Sequence, residues 1–336
     1  MYRLNDIKEI HLELTNKCQA SCPMCPRNIQ GGIPNPWLNE TEITIDQFKQ
    51  WFPAPFVKQL NRLYMCGNYG DAIVAKDTLK VFRYLRENNP SMFLNLHTNG
   101  SARNKDWWQE LAELNVGVTF ALDGLEDTNH LYRIGTDFNK IIENAKAFIS
   151  AGGEARWHML VFDHNKHQID DCKKMSEELG FFEFSQKNSS RFRGPYLNVL
   201  NKDGTTSHRL YPSDRSSEIS QKVIEQKIKM MFNAEEEKET PVIHCKAQQG
   251  NAIYVGANGT LAPCCWLDFT GAEPFNPSLV DFKDLGFAQP NLHTSTLEDI
   301  FNSSYFDKIE ATWKDKPLRQ CSRQCGKFDR LNEQFK

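Results

Sequence analysis

Cys18-Gln19-Ala20-Ser21-Cys22-Pro23-Met24-Cys25 places three cysteines within eight residues, spaced CxxxCxxC, directly after the apolar run Ile10-His11-Leu12-Glu13-Leu14-Thr15. Three thiolates on one short loop can hold three corners of a four-iron cluster and leave the fourth iron without a protein ligand. An open iron is a place where a small molecule can chelate and receive an electron. The spacing differs from the ferredoxin run, which continues as CxxCxxC and adds a distant fourth cysteine. It also differs from the paired CxxC of structural zinc sites. A zinc loop, or three unrelated buried cysteines, are the alternatives against which the cluster reading stands.

Outward from that loop, the ten cysteines of the 336-residue chain fall into two groups. Cys245, Cys264, Cys265, Cys321 and Cys325 form a second group near the C-terminus, and Cys66 and Cys172 stand alone between the two. The N-terminal residues Met1 to Asp6 contain no apolar signal segment, and no apolar run is long enough to span a bilayer. Ten cysteines in that context favour metal or redox work in a reducing cytoplasm over a disulfide framework. The net charge of -3, with charges spread along the chain, gives no reason to expect nucleic acid or an anionic membrane as partner.

The segment after the loop alternates regularly. Strands are expected over 8–15, 62–66, 92–97, 116–122, 155–162 and 181–185. Helices are expected over 44–52, 77–88, 104–114, 137–150 and 167–179, the first capped by Thr44 and the last stopped by Gly180. Six strands alternating with helices predict a parallel sheet built from βα units, and ligands of such sheets bind at the carboxyl ends of the strands. Gly70-Asp71, Thr98-Asn99, Asp123 and His164-Asn165 all fall at those ends, as does the cysteine loop. Residues 201–240 read as a linker with one helix near 218–232 and a solvated charge run, Glu235-Glu236-Glu237-Lys238-Glu239. Asn258-Gly259 between Ala252–Gly256 and Thr260–Ala262 predicts a hairpin, and 296–312 predicts a helix.

The cysteine loop and strand-end motifs resemble those of the radical S-adenosylmethionine (SAM) superfamily. The resemblance implies an α/β fold: a partial (β/α)6 TIM-like barrel over 1–200, a linker over 201–240 and a small α+β domain over 241–336. It implies that Cys18, Cys22 and Cys25 hold a [4Fe–4S] cluster with SAM on its open iron. Gly67-Asn68-Tyr69-Gly70-Asp71 stands where the family has Gly-Gly-Glu, the segment that holds the methionine amine, so Gly70 and Asp71 are expected to bind SAM. Asp71 is one carbon shorter than that glutamate. Thr98, Asn99, Asp123 and Arg133 are expected around the ribose and the methionine carboxylate, and Met24 near the adenine. Ala121 replaces a serine usual in the family.

The C-terminal pattern Cys245-x13-Gly259-x4-Cys264, closed by Cys321-x3-Cys325, resembles the SPASM/twitch extension of that superfamily. It implies a second [4Fe–4S] cluster on Cys245, Cys264, Cys321 and Cys325, with Cys265 as the ambiguous member. A full SPASM module uses about seven cysteines for two clusters, so the shorter twitch form is favoured; a tetrahedral zinc site is the alternative. Cys66, at a strand end, is the candidate hydrogen-atom donor, and a small buried hydrophobe is its simpler reading. The resemblance further implies an electron donor such as flavodoxin or ferredoxin, a 5′-deoxyadenosyl radical that abstracts a substrate hydrogen, and most often a peptide or protein substrate. A carbohydrate or other small molecule, oxidised or epimerised, is the alternative substrate. A non-catalytic metal-binding partner protein is the alternative class.

Overall fold

The computed structural model describes residues 2–213 and 240–327. The expected helix near 218–232 and the charge run 235–239 lie outside the described residues. An eight-stranded sheet organises the molecule, in the order β13-β12-β1-β4-β5-β6-β7-β8. Its strands are β1 (Glu9–Leu12), β4 (Arg62–Met65), β5 (Phe93–Thr98), β6 (Gly117–Ala121), β7 (Ala155–Val161), β8 (Glu183–Asn188), β12 (Ala252–Val255) and β13 (Leu261–Ala262). From β1 through β8 every neighbouring pair is parallel. Parallel neighbours need crossovers, and these are α1 (Ile45–Trp51) with α2 (Ala54–Gln59), α3 (Thr78–Asn88), α4 (Lys105–Glu113), α5 (Glu126–Tyr132) with α6 (Phe138–Ser150), and α7 (Ile169–Leu179). The partial (β/α)6 barrel is thus present, with short additional helices α2 and α5.

Local chemistry sets the helix ends. The Thr44 side chain accepts from the Gln47 amide, and the Gln47 side chain reciprocates, a capping box that starts α1. Gly180 ends α7 in the left-handed conformation at φ 81°, which a residue with a Cβ rarely adopts. Val81, Phe82 and Leu85 of α3 and Ile141, Ala145 and Phe148 of α6 are buried under the sheet. Each of the larger side chains, Val81, Phe82, Leu85, Ile141 and Phe148, stabilises the fold by about 1.5–3 kcal/mol.

Strand periodicity then divides the sheet into two faces. In β7, Ala155, Trp157, Met159 and Val161 are buried, while Arg156, His158 and Leu160 are half-buried on the other face. That other face is polar. The His97 and His158 rings are 5.9 Å apart. His11 stacks on Tyr64 at 4.5 Å and meets Tyr254 edge-on at 5.0 Å.

Three parts of the chain depart from the expectation. The region assigned to a linker contributes β10 (Thr206–Leu210), which forms an antiparallel hairpin with β9 (Leu197–Leu200) from the preceding segment; the hairpin's turn contains Asp203-Gly204, with Gly204 at φ 85°. It docks on the hairpin of β2 (Asn28–Ile29) and β3 (Ile33–Pro34), where Leu200 N donates to Gln30 O at 2.9 Å. A Cβ on Gly32 would stand 2.2 Å from Asn201 O, so glycine permits that approach. The expected helix over 296–312 is two helices, Leu297–Asn302 and Tyr305–Ala311. Ser303 is extended there (ψ 166°), and its hydroxyl donates to Ile300 O at 2.6 Å, competing with the helical ladder.

The third departure is the largest. The hairpin of β12 and β13 joins the barrel sheet itself: β12 pairs in parallel with β1, with Glu9 to Leu12 opposite Ala252 to Val255. Ile253, Leu261, Leu267, Phe282 and Phe306 belong to the same contiguous core as Ile10, Leu63 and Trp108. A boundary at 241 therefore cuts through one sheet and one core. No helix among the described residues is long and apolar enough to cross a membrane.

If the C-terminal hairpin is part of the barrel's core, Ile253→Ala lowers the stability of the whole molecule. We expect a loss of about 2–5 kcal/mol in one cooperative denaturant transition. An early transition confined to 241–327, with the barrel's midpoint unchanged, would contradict it.

Candidate active site

The cysteine loop leaves β1 and crosses the carboxyl ends of the neighbouring strands. Each of its three sulfurs meets a different segment, two just after strands and one just after a helix. Asn99, after β5, donates from Nδ2 to Cys18 Sγ at 3.6 Å, and the Ala20 amide donates to the same sulfur at 3.4 Å. Arg133, after α5, donates from Nη1 to Cys22 Sγ at 3.8 Å. Cys25 Sγ lies 3.9 Å from Asn68 O, after β4. Among the described residues no three Cys, His, Asp or Glu side chains gather as a single metal ion requires. A four-iron cluster takes one thiolate per corner, and three cysteines on one loop supply the ligand type for three corners.

Burial, the leading cause, raises all three thiols, Cys25 to about 11. A thiolate in that setting needs a positive partner, and bound iron would be one. The donor set therefore fits the cluster. The N–H groups aimed at Cys18 and Cys22 would further stabilise the sulfur charge.

Behind the loop, two buried acids tie the strand ends together. Asp71 Oδ2 accepts from Thr98 Oγ1 (2.9 Å), Asn99 N (2.8 Å) and Asn99 Nδ2 (2.6 Å), and Oδ1 accepts from Ile73 N (3.2 Å). The carboxylate expected near the methionine amine is thus saturated by protein groups. It fixes Thr98 and Asn99, and through Asn99 it reaches Cys18. Burial pushes its pKa up, and these hydrogen bonds oppose that shift.

Asp123 is fully buried. Its Oδ2 accepts from Arg133 Nε at 2.6 Å and its Oδ1 from Leu160 N at 2.6 Å. Arg133 thus bridges Asp123 and Cys22. Burial raises the Asp123 carboxyl, and the guanidinium opposes that shift. Asp123, expected as a catalytic residue, touches only the protein framework here. It positions Arg133 rather than facing the open side of the loop.

Gly67 and Gly70 shape the segment between β4 and Asp71. A Cβ on Gly70 would stand 2.0 Å from Thr15 O, and one on Gly67 would stand 2.0 Å from Gly70 O. Met24 lies against the apolar group of Tyr132, Phe162, Phe192, Val199 and Leu210 under the β9–β10 hairpin. Ser189 Oγ donates to its sulfur at 3.2 Å, and Arg191 donates to its carbonyl at 2.8 Å. Cys66, at the end of β4, is half-buried, and burial pushes its thiol to about 11. It is therefore S–H at neutral pH.

The C-terminal cysteines form a separate centre. Cys245, Cys264, Cys321 and Cys325 line one cavity with Ile243, Leu267, Ile309 and Trp313. Cys265 is not on that lining, although it is adjacent in sequence. Burial raises Cys264 and Cys321 to about 12. Four cysteines on one cavity lining are the number that a fully ligated [4Fe–4S] cluster takes.

Sequence reasoning missed Glu13, Tyr254 and Asp268. Glu13 Oε1 accepts from the amides of Tyr69 (2.5 Å) and Gly70 (2.9 Å). The only sequence signal was an acid inside an apolar strand. Gln19, whose amide donates to Asn99 Oδ1 at 2.6 Å, was also missed.

Comparison with known proteins agrees with this geometry. Residues 12–175 match the family model of the radical SAM superfamily. Residues 245–326 match that of the SPASM iron–sulfur cluster-binding domain. A cysteine-type anaerobic sulfatase-maturating enzyme of Clostridium novyi (strain NT) is 24% identical over 185 residues, covering 54% of this chain and 40% of that protein. The match thus spans less than half of the curated relative. SuiB of Streptococcus suis bound to S-adenosylmethionine superposes with a TM-score of 0.58 at 14% identity, over 91% of this chain and 68% of that one. AdoMet-bound anSMEcpe gives 0.56 at 14%, over 92% and 81%. Both structural likenesses concern the fold.

Removing Arg133 leaves Asp123 buried without its cation. We expect Arg133→Met to cost about 3–5 kcal/mol and Arg133→Met with Asp123→Asn to recover most of that loss. Chemical denaturation of the four proteins of the cycle measures the coupling. Additive losses would show that the pair does not act as a unit.

Proposed function

The chain belongs to the radical SAM superfamily and carries a C-terminal SPASM iron–sulfur domain, and from that premise we propose that it modifies a peptide or protein by hydrogen abstraction. The reaction is radical chemistry, and its cofactors are SAM, the [4Fe–4S] cluster that cleaves it, and auxiliary iron–sulfur centres. When bound and reduced, the first cluster supplies the electron that splits SAM into methionine and a 5′-deoxyadenosyl radical. The observation that carries the reading is the set of Cys18, Cys22 and Cys25 at the carboxyl edge of a parallel sheet, their sulfurs meeting Asn99, Arg133 and Asn68 in turn.

In this reading the side chains have separable duties. Cys18, Cys22 and Cys25 hold the SAM-binding cluster. The 67–70 backbone, drawn close by two glycines, receives the methionine amine, and Arg133 offers its guanidinium to the carboxylate. Thr98 and Asn99, held by Asp71, support the ribose side, and Met24 the adenine. Asp123 keeps Arg133 in place. Cys245, Cys264, Cys321 and Cys325 hold the auxiliary cluster, and a small carrier such as flavodoxin or ferredoxin is the electron donor. Cys66 retains its S–H and stands at the barrel mouth, where a hydrogen-atom donor belongs. The enclosed polar face of His11, Tyr64, His97 and His158 suits a substrate with its own polar backbone.

A peptide is the favoured substrate because two proteins of this fold are described with peptides bound: SuiB with the precursor peptide SuiA, and anSMEcpe with the Cp18Cys peptide. Anaerobic protein with SAM and dithionite should form 5′-deoxyadenosine and contain about eight irons per chain. Cys264→Ala with Cys321→Ala should lower iron to about four without preventing SAM binding. Peptides synthesised from short reading frames beside this chain, deuterated throughout, should pass deuterium into 5′-deoxyadenosine. Transfer from a deuterated sugar and from no peptide would overturn the substrate class. Failure to form 5′-deoxyadenosine with intact clusters would overturn the reading as a whole.

A further inference from the structure

Tyr254 and two buried carboxyls form an array that the functional reading does not use. The Tyr254 hydroxyl lies 2.7 Å from Glu13 Oε2 and 2.7 Å from Asp268 Oδ2. All three residues are buried: Tyr254 on β12, Glu13 just after β1, and Asp268 four residues past Cys264. A phenol carries one proton and can donate to only one of the two oxygens. The second short contact needs a second proton, so one carboxyl is protonated and donates to the phenol oxygen. The two acids are placed alike. The second oxygen of Glu13 accepts from Tyr69 N and Gly70 N, and that of Asp268 accepts from Thr270 N at 3.0 Å and from the Thr270 hydroxyl. Two equivalent carboxyls thus share one proton through a tyrosine.

The array also joins two functional segments. One end grips the amides of the 67–71 segment. The other end belongs to the stretch that follows Cys264. Asn68 spans the gap, donating to Cys265 O at 3.2 Å and to the Tyr254 oxygen at 3.4 Å.

We propose that Glu13, Tyr254 and Asp268 form a singly protonated strut that positions the 67–71 segment for SAM and locks it to the auxiliary-cluster segment. Tyr254 and Asp268 are positioning residues, acting through Glu13. The inference rests on the reading of 67–71 as part of the SAM site. With its proton the strut holds three oxygens in line. Without it, two carboxylates face one phenol and repel, and the lock between the 67–71 segment and the auxiliary-cluster segment loosens. SAM affinity is therefore full while the proton is present and falls as rising pH removes it. Burial raises both acids, Glu13 to about 7. The other titratable groups facing the array are His11, Cys25, Cys66, Tyr69, Cys265 and Tyr305.

The test uses the full chain with both clusters, measuring the SAM dissociation constant, iron content and hydrogen–deuterium exchange of the 67–71 amides. Tyr254→Phe should weaken SAM binding about tenfold and speed exchange at Tyr69 and Gly70, with iron content kept and the rate at saturating SAM little changed. Glu13→Gln replaces the protonated carboxyl with an amide that can donate to the same phenol. It should match the wild type near pH 6.5 and escape the weakening the wild type shows near pH 9. Comparing the two proteins cancels pH effects on SAM itself. Wild-type affinity and exchange in Tyr254→Phe, or an alkaline fall in Glu13→Gln equal to the wild type's, would overturn the strut. A wild type with full clusters that binds no SAM would overturn the SAM reading instead. The exchange data would still judge the strut in that case.

Discussion

Two parallel strands cannot be joined by a tight turn, so β12 reaches the free edge of β1 only after the rest of the barrel has been laid down. That one pairing, Glu9 to Leu12 against Ala252 to Val255, organises much of the molecule. It covers an edge that would otherwise present unpaired amides. It carries Tyr254 onto the polar face beside His11 and Glu13. It also fixes where the chain emerges toward Cys264, and so the distance between the two cysteine centres. Because Ile253 and Leu261 share a core with Ile10 and Leu63, the auxiliary centre is held by the barrel's own packing. A flexible tether would let the spacing between two redox centres drift.

A second constraint is electrostatic. Asp71, Asp123 and Glu13 near the strand ends, and Asp268 after Cys264, are all buried around a loop proposed to hold a cluster. Isolated buried charges of one sign are costly. The structure meets that cost in three ways. Asp71 is surrounded by N–H and O–H donors. Asp123 has a guanidinium. Glu13 and Asp268 share a proton. Each solution also orients a neighbour: Asn99 toward Cys18, Arg133 toward Cys22, and the Tyr69 and Gly70 amides into a fixed turn. Neutralising these acids and building the site are therefore one task, and substitutions chosen to change the chemistry alone will also change the support beneath it.

The sequence carried the barrel well because its signals are local. Alternating runs such as Arg62 to Met65, apolar helical faces such as Val81, Phe82 and Leu85, and Gly180 at a helix end all declare themselves within a few residues. The cysteine spacing was legible for the same reason. What was missed depends on distant contacts. Asp203-Gly204 is a turn signal, but its strands are weakly apolar and gain their place by docking on 28–34. Ser303-Ser304 broke a helix whose apolar period runs straight through. The sheet partner of β12 cannot be read from its own residues, so a domain boundary was expected where a strand pairing exists. Asp71 and Asp123 were recognised at the right strand ends, yet only the structure reveals that their oxygens are already occupied.

The ten cysteines sort by place. Three stand on the first loop. Cys172 is fully buried in α7 against the barrel's helical layer, and Cys66 ends a strand at the barrel mouth. Cys265 follows Cys264, yet it lies off the cavity that Cys264 lines, and its carbonyl is held by Asn68. Four remain, and they share one cavity. A [4Fe–4S] cluster takes four thiolates, so these four would suffice for one auxiliary cluster. Moving Cys265 into the ligand set would require turning its segment away from Asn68, and with it Asp268 away from Tyr254. The strut and the ligand set therefore constrain each other: whatever holds Asp268 against Tyr254 also keeps Cys265 out of the cluster.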